Sequence, residues 1–156
     1  MTIMGALGGI EAGLRQLRRT RALEVEVVDL GNGTVVRVPT ADETLRIKAY
    51  LVVQRNQVRD YRDVVALAAR LGAARSAAVL ARIDDFYSDR SAERDSVLTA
   101  LVQRLSEPNP RDSRVTGQLD AYKGLRPEWH SWADVVIACN NLADGIVETL
   151  ESGGGS

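Results

Sequence analysis

Residues 40–72, TADETLRIKAYLVVQRNQVRDYRDVVALAARLG, decide the fold of this chain. Thr40-Ala-Asp-Glu43 has the capping-box pattern of a helix start, and the helix is expected to run to about Arg55. A polar break at Asn56-Gln57 precedes a second expected helix over 59–71, which a glycine ends. Two helices joined by so short a break fold back on each other, so the stretch predicts a helical hairpin.

The residues ahead of this helical hairpin predict a β-hairpin. Alternating β-branched residues over 23–30 and 34–38 predict two strands, and Gly31-Asn32-Gly33 between them is a strong turn signal. The segment before the strands, 5–21, predicts a short helix with arginines near its end, where cations suit the helix dipole.

The residues after 72 predict three further helices, over 77–87, 92–105 and 131–150. Two prolines within 107–112 indicate a loop, and 113–128 shows no clear pattern. We therefore expect an α+β, mostly α-helical fold, in which a short N-terminal β-hairpin is followed by a helical bundle. The expected single domain covers 1–151, divided into 1–38, 39–72 and 73–151, and the Gly/Ser-rich 152–156 is expected to be a flexible tail or linker.

Composition fits one domain with a core of its own. The chain has 156 residues, of which 45% are apolar and 26% charged. No apolar run approaches the roughly 20 residues of a membrane span. No secretory signal is visible, and the single Cys139 cannot form an internal disulfide. A cytoplasmic protein is the expectation.

The net charge of −1 hides an asymmetry between the two halves of the chain. Residues 1–82 carry 13 basic and 8 acidic side chains, whereas 83–156 carry 7 and 13. A basic half can meet phosphates or attract an acidic partner. Arginine supplies 18 of the 20 basic residues, an enrichment that a GC-rich genome also produces.

The densest polar cluster lies between Lys48 and Asp63. The helical hairpin is expected to bring Lys48 toward Asp60 and Asp63, which are three residues apart. With Arg55, such a cluster suits a nucleoside triphosphate, and the carboxylates suit water-mediated Mg²⁺. The alternative is a solvated surface, with an Arg59–Asp63 pair worth only ~0.3–0.5 kcal/mol and the lysine stem lying over neighbouring leucines.

The run over 40–63 resembles the later part of AbiEii-type nucleotidyltransferase toxins. In that family a lysine-bearing helix precedes an Arg-Asp-x-x-Asp helix, the pattern that Lys48 and 59–63 show here. The resemblance extends in outline over 23–150 and is specific over 40–72. It implies a polymerase-β-like active site that adds nucleotides to RNA, with tRNA 3′ ends as the target class.

The resemblance also implies roles for individual residues. Lys48 would position the triphosphate, and Asp60 or Asp63 would be the late acidic residue of the site. The substrate phosphates would be contacted by three arginines: Arg55, Arg59 and Arg62. The family's Gly-Ser turn and Asp-x-Asp metal motif are absent from this chain. Glu24 and Glu26 share one face of a predicted strand, so they are the candidate ligands for the implied Mg²⁺. The alternative is that they are surface residues of the β-hairpin, or that one of them matches the carboxylate of the family's later strand.

The missing motif leaves two hypotheses of different classes. The first is Mg²⁺-dependent nucleotide transfer to tRNA by the C-terminal part of such a toxin. The second is a non-catalytic interaction domain that binds an antitoxin, RNA or a second copy of itself, since an exposed strand edge recruits other strands. A cognate antitoxin is the implied partner, and no membrane partner is expected.

Overall fold

The computed structural model describes residues 2–15, 19–87, 96–121 and 129–154. These residues form two separate β-hairpins and a helical body, which confirms the predicted α+β, mostly α-helical class. In chain order the elements are β1 (Thr2–Leu7), β2 (Ile10–Arg15), β3 (Val25–Asp29), β4 (Val35–Pro39), α1 (Ala41–Arg55), α2 (Val58–Leu71), α3 (Ala73–Leu80), a 3-10 turn (Ile83–Asp85), α4 (Val97–Ser106), a 3-10 segment (Ser113–Ala121) and α5 (Trp132–Gly153).

The first hairpin corrects the prediction of a helix over 5–21. Strands β1 and β2 pair antiparallel through a two-residue turn at Gly8 and Gly9, whose φ angles are 59° and 80°. Positive φ at both central positions suits the tight turns that join antiparallel strands. Four glycines within 5–13 also weaken a helix, because each costs about 1 kcal/mol relative to alanine there. Part of the predicted helix, 16–18, lies outside the described residues.

The second hairpin confirms the two predicted strands. Strands β3 and β4 pair antiparallel, with Val28 opposite Val36. Two side chains bind backbone amides in the turn: Asp29 Oδ1 accepts from Gly31 N at 2.8 Å, and Asn32 Oδ1 accepts from Thr34 N at 3.0 Å. These bonds supply acceptors that the tight turn would otherwise lack, so the turn sequence itself fixes the register of the strands.

Helices α1 and α2 form the predicted helical hairpin. Thr40 Oγ1 accepts from Glu43 N at 3.1 Å, as a capping box requires. The reciprocal bond is absent from the described contacts, because Thr40 N donates to the Glu24 carbonyl at 3.1 Å. Helix α1 is followed by its C-cap residue, Asn56, which lies in the left-handed region with φ 54°. The Asn56 amide donates to the Asn109 carbonyl and its oxygen accepts from Tyr61, so tertiary contacts hold this conformation.

The helices after α2 differ from the prediction at their ends. The single helix predicted over 77–87 is two elements in the structure. Helix α3 begins directly after Gly72 and ends at Leu80, and the 3-10 turn follows it. Helix α4 begins at Val97 with Ser96 as its N-cap, while 92–95 lies outside the described residues. Helix α5 continues to Gly153, so the predicted tail is helical at its start.

Helix α5 completes the core by packing against α2, α3 and α4. Each helix contributes side chains that are fully buried, among them Leu45, Tyr61, Leu80, Leu101 and Ile146, all at 0% exposure. Burying an aliphatic side chain of this size contributes about 1.5–3 kcal/mol to folding, so the packing between these helices stabilises the helical body. Within the described ranges, no helix is long and apolar enough to cross a membrane.

Candidate functional site

The helical hairpin brings Lys48 to Asp63, as the sequence predicts. Lys48 Nζ lies 2.8 Å from Asp63 Oδ2, and each side chain is about one-third exposed (34% and 31%). Arg62 Nη2 approaches the other Asp63 oxygen at 4.0 Å, whereas Arg59 is exposed on α2. The alternative Arg59–Asp63 pair is not among the ion pairs of the described residues, in which Asp63 pairs with Lys48 of the other helix. An ion pair that is about one-third exposed contributes about 1 kcal/mol or less.

Asp60 is buried and has a different partner. Its Oδ1 accepts from Arg55 Nη2, and the Asp60 side chain is 0% exposed while that of Arg55 is 21% exposed. Among the described residues, Asp60 Oδ2 has no hydrogen-bond partner. Asp60 and Asp63 thus occupy different environments, one inside the fold and one at its surface. Each carboxylate therefore takes part in an ion pair of its own.

The candidate metal ligands lie at the second hairpin. Glu24 precedes β3 and its carboxylate accepts from Arg46 Nη1 at 2.6 Å, while Glu26 is exposed opposite Val38. Across the described ranges, no group of three His, Cys, Asp or Glu side chains comes together as a metal site would require. Binding of Mg²⁺ by these glutamates stays a prediction of the resemblance.

A buried ion-pair network, which the sequence does not reveal, joins α1 to the segment before β3. Glu43 is 0% exposed and accepts from Arg19 Nη1 and, at 3.2 Å, from Arg46 Nη1. The hydrogen bond from Arg19 to Glu43 raises the pKa of the Arg19 guanidinium above its usual value. The only sequence signal for this network is Glu43 at the third position of α1, which the capping pattern explains equally well.

Aromatic rings surround these arginines. The guanidinium of Arg46 lies 4.0 Å from the centre of the Phe86 ring, and that of Arg19 lies 5.1 Å from the Tyr87 ring. Tyr87 stacks on Tyr50 with ring centres 4.1 Å apart. Burial raises the pKa of Tyr87 to about 12, so its hydroxyl stays protonated near neutral pH. Cation–π contacts of this type add about 1–2 kcal/mol when desolvated.

The environment of the buried Cys139 thiol disfavours its reactive, deprotonated form. Cys139 is 0% exposed on α5, and burial raises its pKa to about 12. The thiolate is the nucleophile and the metal ligand, so a thiol with so high a pKa suits packing rather than chemistry. Trp132, near the same end of α5, meets Tyr61 edge-on with ring centres 5.9 Å apart.

The second hairpin exposes apolar side chains. Val27 is 66% exposed and Val35 is 62% exposed, and Leu30 beside the turn is 57% exposed. In the antiparallel register Val27 lies opposite Arg37, and Val35 lies opposite Asp29. The two valines therefore share one face of the hairpin. A two-stranded hairpin with such a face is marginal alone in water, so this surface is a candidate contact for another part of a larger protein.

Comparison with known proteins places the chain beside transport proteins. It is 40% identical over 131 residues to the heme uptake protein MmpL11 of Mycobacterium tuberculosis, a match that covers 84% of this chain and 13% of the relative. It is 36% identical over 131 residues to the probable transport protein MmpL11 of Mycobacterium leprae, covering 84% of this chain and 12% of that relative. It is 35% identical over 135 residues to the mycolic acid-containing lipids exporter MmpL11 of Mycolicibacterium smegmatis, covering 85% and 13%.

The chain therefore spans about an eighth of the length of the curated relatives that it matches. No family model matches it, and no solved structure gives a significant match. The detected likeness is to one segment of each MmpL11 protein.

These relatives correct the resemblance to AbiEii-type nucleotidyltransferase toxins. Proteins with 35–40% identity over most of the chain are named for transport, and none is named as a nucleotidyltransferase. The residues that suggested the toxin family form two ion pairs here, Lys48 with Asp63 and Arg55 with Asp60. Catalytic roles for Lys48, Asp60 and Asp63 have no support from the relatives.

The expected partners are corrected as well. Neither a cognate antitoxin nor tRNA fits relatives that are transport proteins, and the alternative of a domain that binds an antitoxin, RNA or a second copy has no support. The expectation of no membrane partner conflicts with the same finding.

Proposed function

We propose that this chain is an accessory domain of an MmpL11-type transport protein, and that it lies outside the membrane. The observation that carries the proposal is the 40% identity over 131 residues to a segment of MmpL11. The helical body supports it, because the buried core of α1 to α5 gives a folded unit and no described helix is suited to spanning a membrane. The heme uptake and lipid export named for the relatives belong to the whole transporters.

The second hairpin is the surface through which this domain contacts the remainder of the transporter. Its outward face carries Val27 and Val35, both more than three-fifths exposed. The relatives extend far beyond the matched segment, so most of the transporter lies outside this chain and is available to cover that face. Covering it removes apolar surface from water, which contributes about 25 cal/mol per Å² buried.

A segment exchange in the MmpL11 of M. smegmatis tests the proposal. The matching segment is replaced by this chain, and export of mycolic acid-containing lipids is measured in a strain that lacks its own MmpL11. We expect the chimaera to retain most of the export, whereas a Gly/Ser linker of equal length retains little. A chimaera no better than the linker, at equal protein amounts in the membrane, contradicts the proposal.

Variants of the chimaera test the hairpin surface. We expect Val27→Asp combined with Val35→Asp to reduce export severalfold, because two carboxylates would replace the apolar side chains of a face that already carries Asp29 and Arg37. The control is Val147→Asp on α5, where the valine is 39% exposed and distant in sequence from the hairpin. Equal losses from both changes would show that the hairpin face has no special role.

The proposed location of the domain is the cytoplasmic side of the membrane. Its one cysteine is buried and free, which suits a compartment that does not form disulfides. The side of the membrane is checked by fusing green fluorescent protein or alkaline phosphatase to MmpL11 next to the domain. Fluorescence without phosphatase activity is expected, and the reverse pattern would place the domain on the other side.

A further inference from the structure

A small cavity lies where the residues before β3 meet α1, α3 and the 3-10 turn. Its volume is about 350 Å³, large enough for a phosphate group together with water. Four arginines and one glutamate line it beside an aromatic ring: Arg21, Arg46, Arg75, Arg82, Glu24 and Phe86. Most of the charge on the cavity wall is therefore positive.

Carboxylates near the cavity form ion pairs with three of its arginines, but these pairs do not use all the N–H donors of the guanidinium groups. Asp85 accepts from Arg82 at 2.9 Å and lies 3.4 Å from Arg21, so one carboxylate serves two guanidinium groups. Arg75 Nε pairs with Asp42 at 3.0 Å. A guanidinium has five N–H donors, and each of these three side chains is more than half exposed, at 53% to 70%. Their remaining donors are available to a ligand.

Arg46 lines the same cavity and is far more buried than the other three arginines. It is only 8% exposed, and its Nη1 is held by Glu24 and Glu43. Its Nε is buried and has no hydrogen-bond partner among the described residues. A buried donor left unpaired is destabilising, so an acceptor oxygen that reached it would be bound favourably. The Arg46 guanidinium carbon lies 4.0 Å from the centre of the Phe86 ring, a cation–π contact that helps to hold Arg46 in place.

We propose that this arginine-lined cavity binds a phosphate group. Arginine forks bind tetrahedral oxyanions through paired, charge-assisted hydrogen bonds, which are about twice as strong as neutral ones. Arg75, Arg82 and Arg21 close around the outer oxygens, and Arg46 reaches the innermost one. The phosphate comes either from a lipid headgroup or from a free phosphate ion. This inference does not depend on the transport proposal, since it concerns the isolated chain.

Titration of the isotope-labelled chain with inorganic phosphate, at constant ionic strength and with chloride as the reference, tests the cavity. We expect saturable shifts of the arginine Nε–H resonances, including that of Arg46. The double variant Arg75→Gln with Arg82→Gln should weaken binding about tenfold or more, because it removes two charge-assisted contacts. The matched control is Arg70→Gln on α2, an exposed arginine outside the cavity lining, which should change affinity less than about twofold.

Co-sedimentation with vesicles distinguishes the two sources of phosphate. Binding to phosphatidylcholine vesicles that contain phosphatidic acid, but not to phosphatidylcholine alone, assigns a lipid headgroup. Binding of inorganic phosphate without co-sedimentation assigns the free ion, and either result supports the cavity when the double variant abolishes it. The proposal is overturned if phosphate causes no saturable shift and the chain does not co-sediment with either kind of vesicle. It is also overturned if Arg70→Gln loses as much affinity as the double variant. Urea unfolding of each variant verifies that it is folded.

Discussion

At the residue scale, Glu43 is a charged side chain that the fold buries completely. It is fully buried between Arg19 and Arg46, whose side chains are each 10% exposed. Taking three charges out of water is costly, and only their mutual contacts offset the cost. The network links the segment before β3 to α1, and through Arg46 it reaches the cavity that we assign to phosphate. A carboxylate at position 43 therefore organises both the packing and the site.

Replacing this carboxylate is expected to destabilise the protein strongly. Glu43→Gln keeps the shape of the side chain but removes the carboxylate partner of Arg19 and leaves Arg46 with Glu24 alone. We expect the free energy of unfolding to fall by about 3–5 kcal/mol, measured by urea denaturation. Glu26→Gln, on the exposed hairpin, should change it by less than about 0.5 kcal/mol. Similar losses in the two variants would contradict a special role for the buried network.

At the element scale, the connection between α1 and α2 depends on Asn56. This residue has φ 54°, a conformation that costs most side chains about 1–2 kcal/mol. Its side-chain amide donates to the Asn109 carbonyl at 2.8 Å, and its oxygen accepts from Tyr61 at 2.5 Å. The left-handed residue turns the chain between the helices, and its side chain ties that turn to the loop before the 3-10 segment.

Two substitutions separate these contributions. Asn56→Ala loses both hydrogen bonds and also strains the backbone, so we expect the free energy of unfolding to fall by about 2–4 kcal/mol. Asn56→Gly loses the same hydrogen bonds but tolerates the left-handed conformation, and it should be about 1 kcal/mol more stable than the alanine variant. Thermal or urea unfolding measures the difference. A glycine variant no more stable than the alanine variant would show that backbone strain is unimportant here.

At the scale of the whole molecule, α5 holds the helical body together. It packs against three other helices, and Val135, Cys139 and Ile146 along one side are all 0% exposed. On its other side Ile137 is 58% exposed. The stability of the body therefore depends on the buried side of α5, and the exposed side is free to vary.

The same substitution on the two sides of α5 tests this difference. Ile146→Ala creates a cavity in the core, and we expect the free energy of unfolding to fall by about 2–5 kcal/mol. Ile137→Ala, at an exposed position of the same helix, should change it by less than about 0.5 kcal/mol. Equal effects, measured by urea unfolding, would mean that α5 does not enter the core as described.

Sequence alone determined the elements whose signals are local. The capping pattern at Thr40, the helical hairpin over 40–72 and the Gly31-Asn32-Gly33 turn each depend on residues close together in the chain, and each is confirmed. The helix predicted over 5–21 failed because adjacent glycines at 8 and 9 favour a turn between paired strands over helical spacing.

Only the tertiary structure decided which charged residues meet. Glu43 contacts Arg19 across 24 positions of sequence, and the cavity collects arginines from separate elements. The Lys48–Asp63 pair could be predicted because one tight turn joins its two helices. Its role could not be predicted from the sequence, since a structural ion pair and a catalytic cluster use the same residue types. Local spacing fixes helices and turns because their hydrogen bonds are local, whereas burial and charge pairing depend on how distant elements pack.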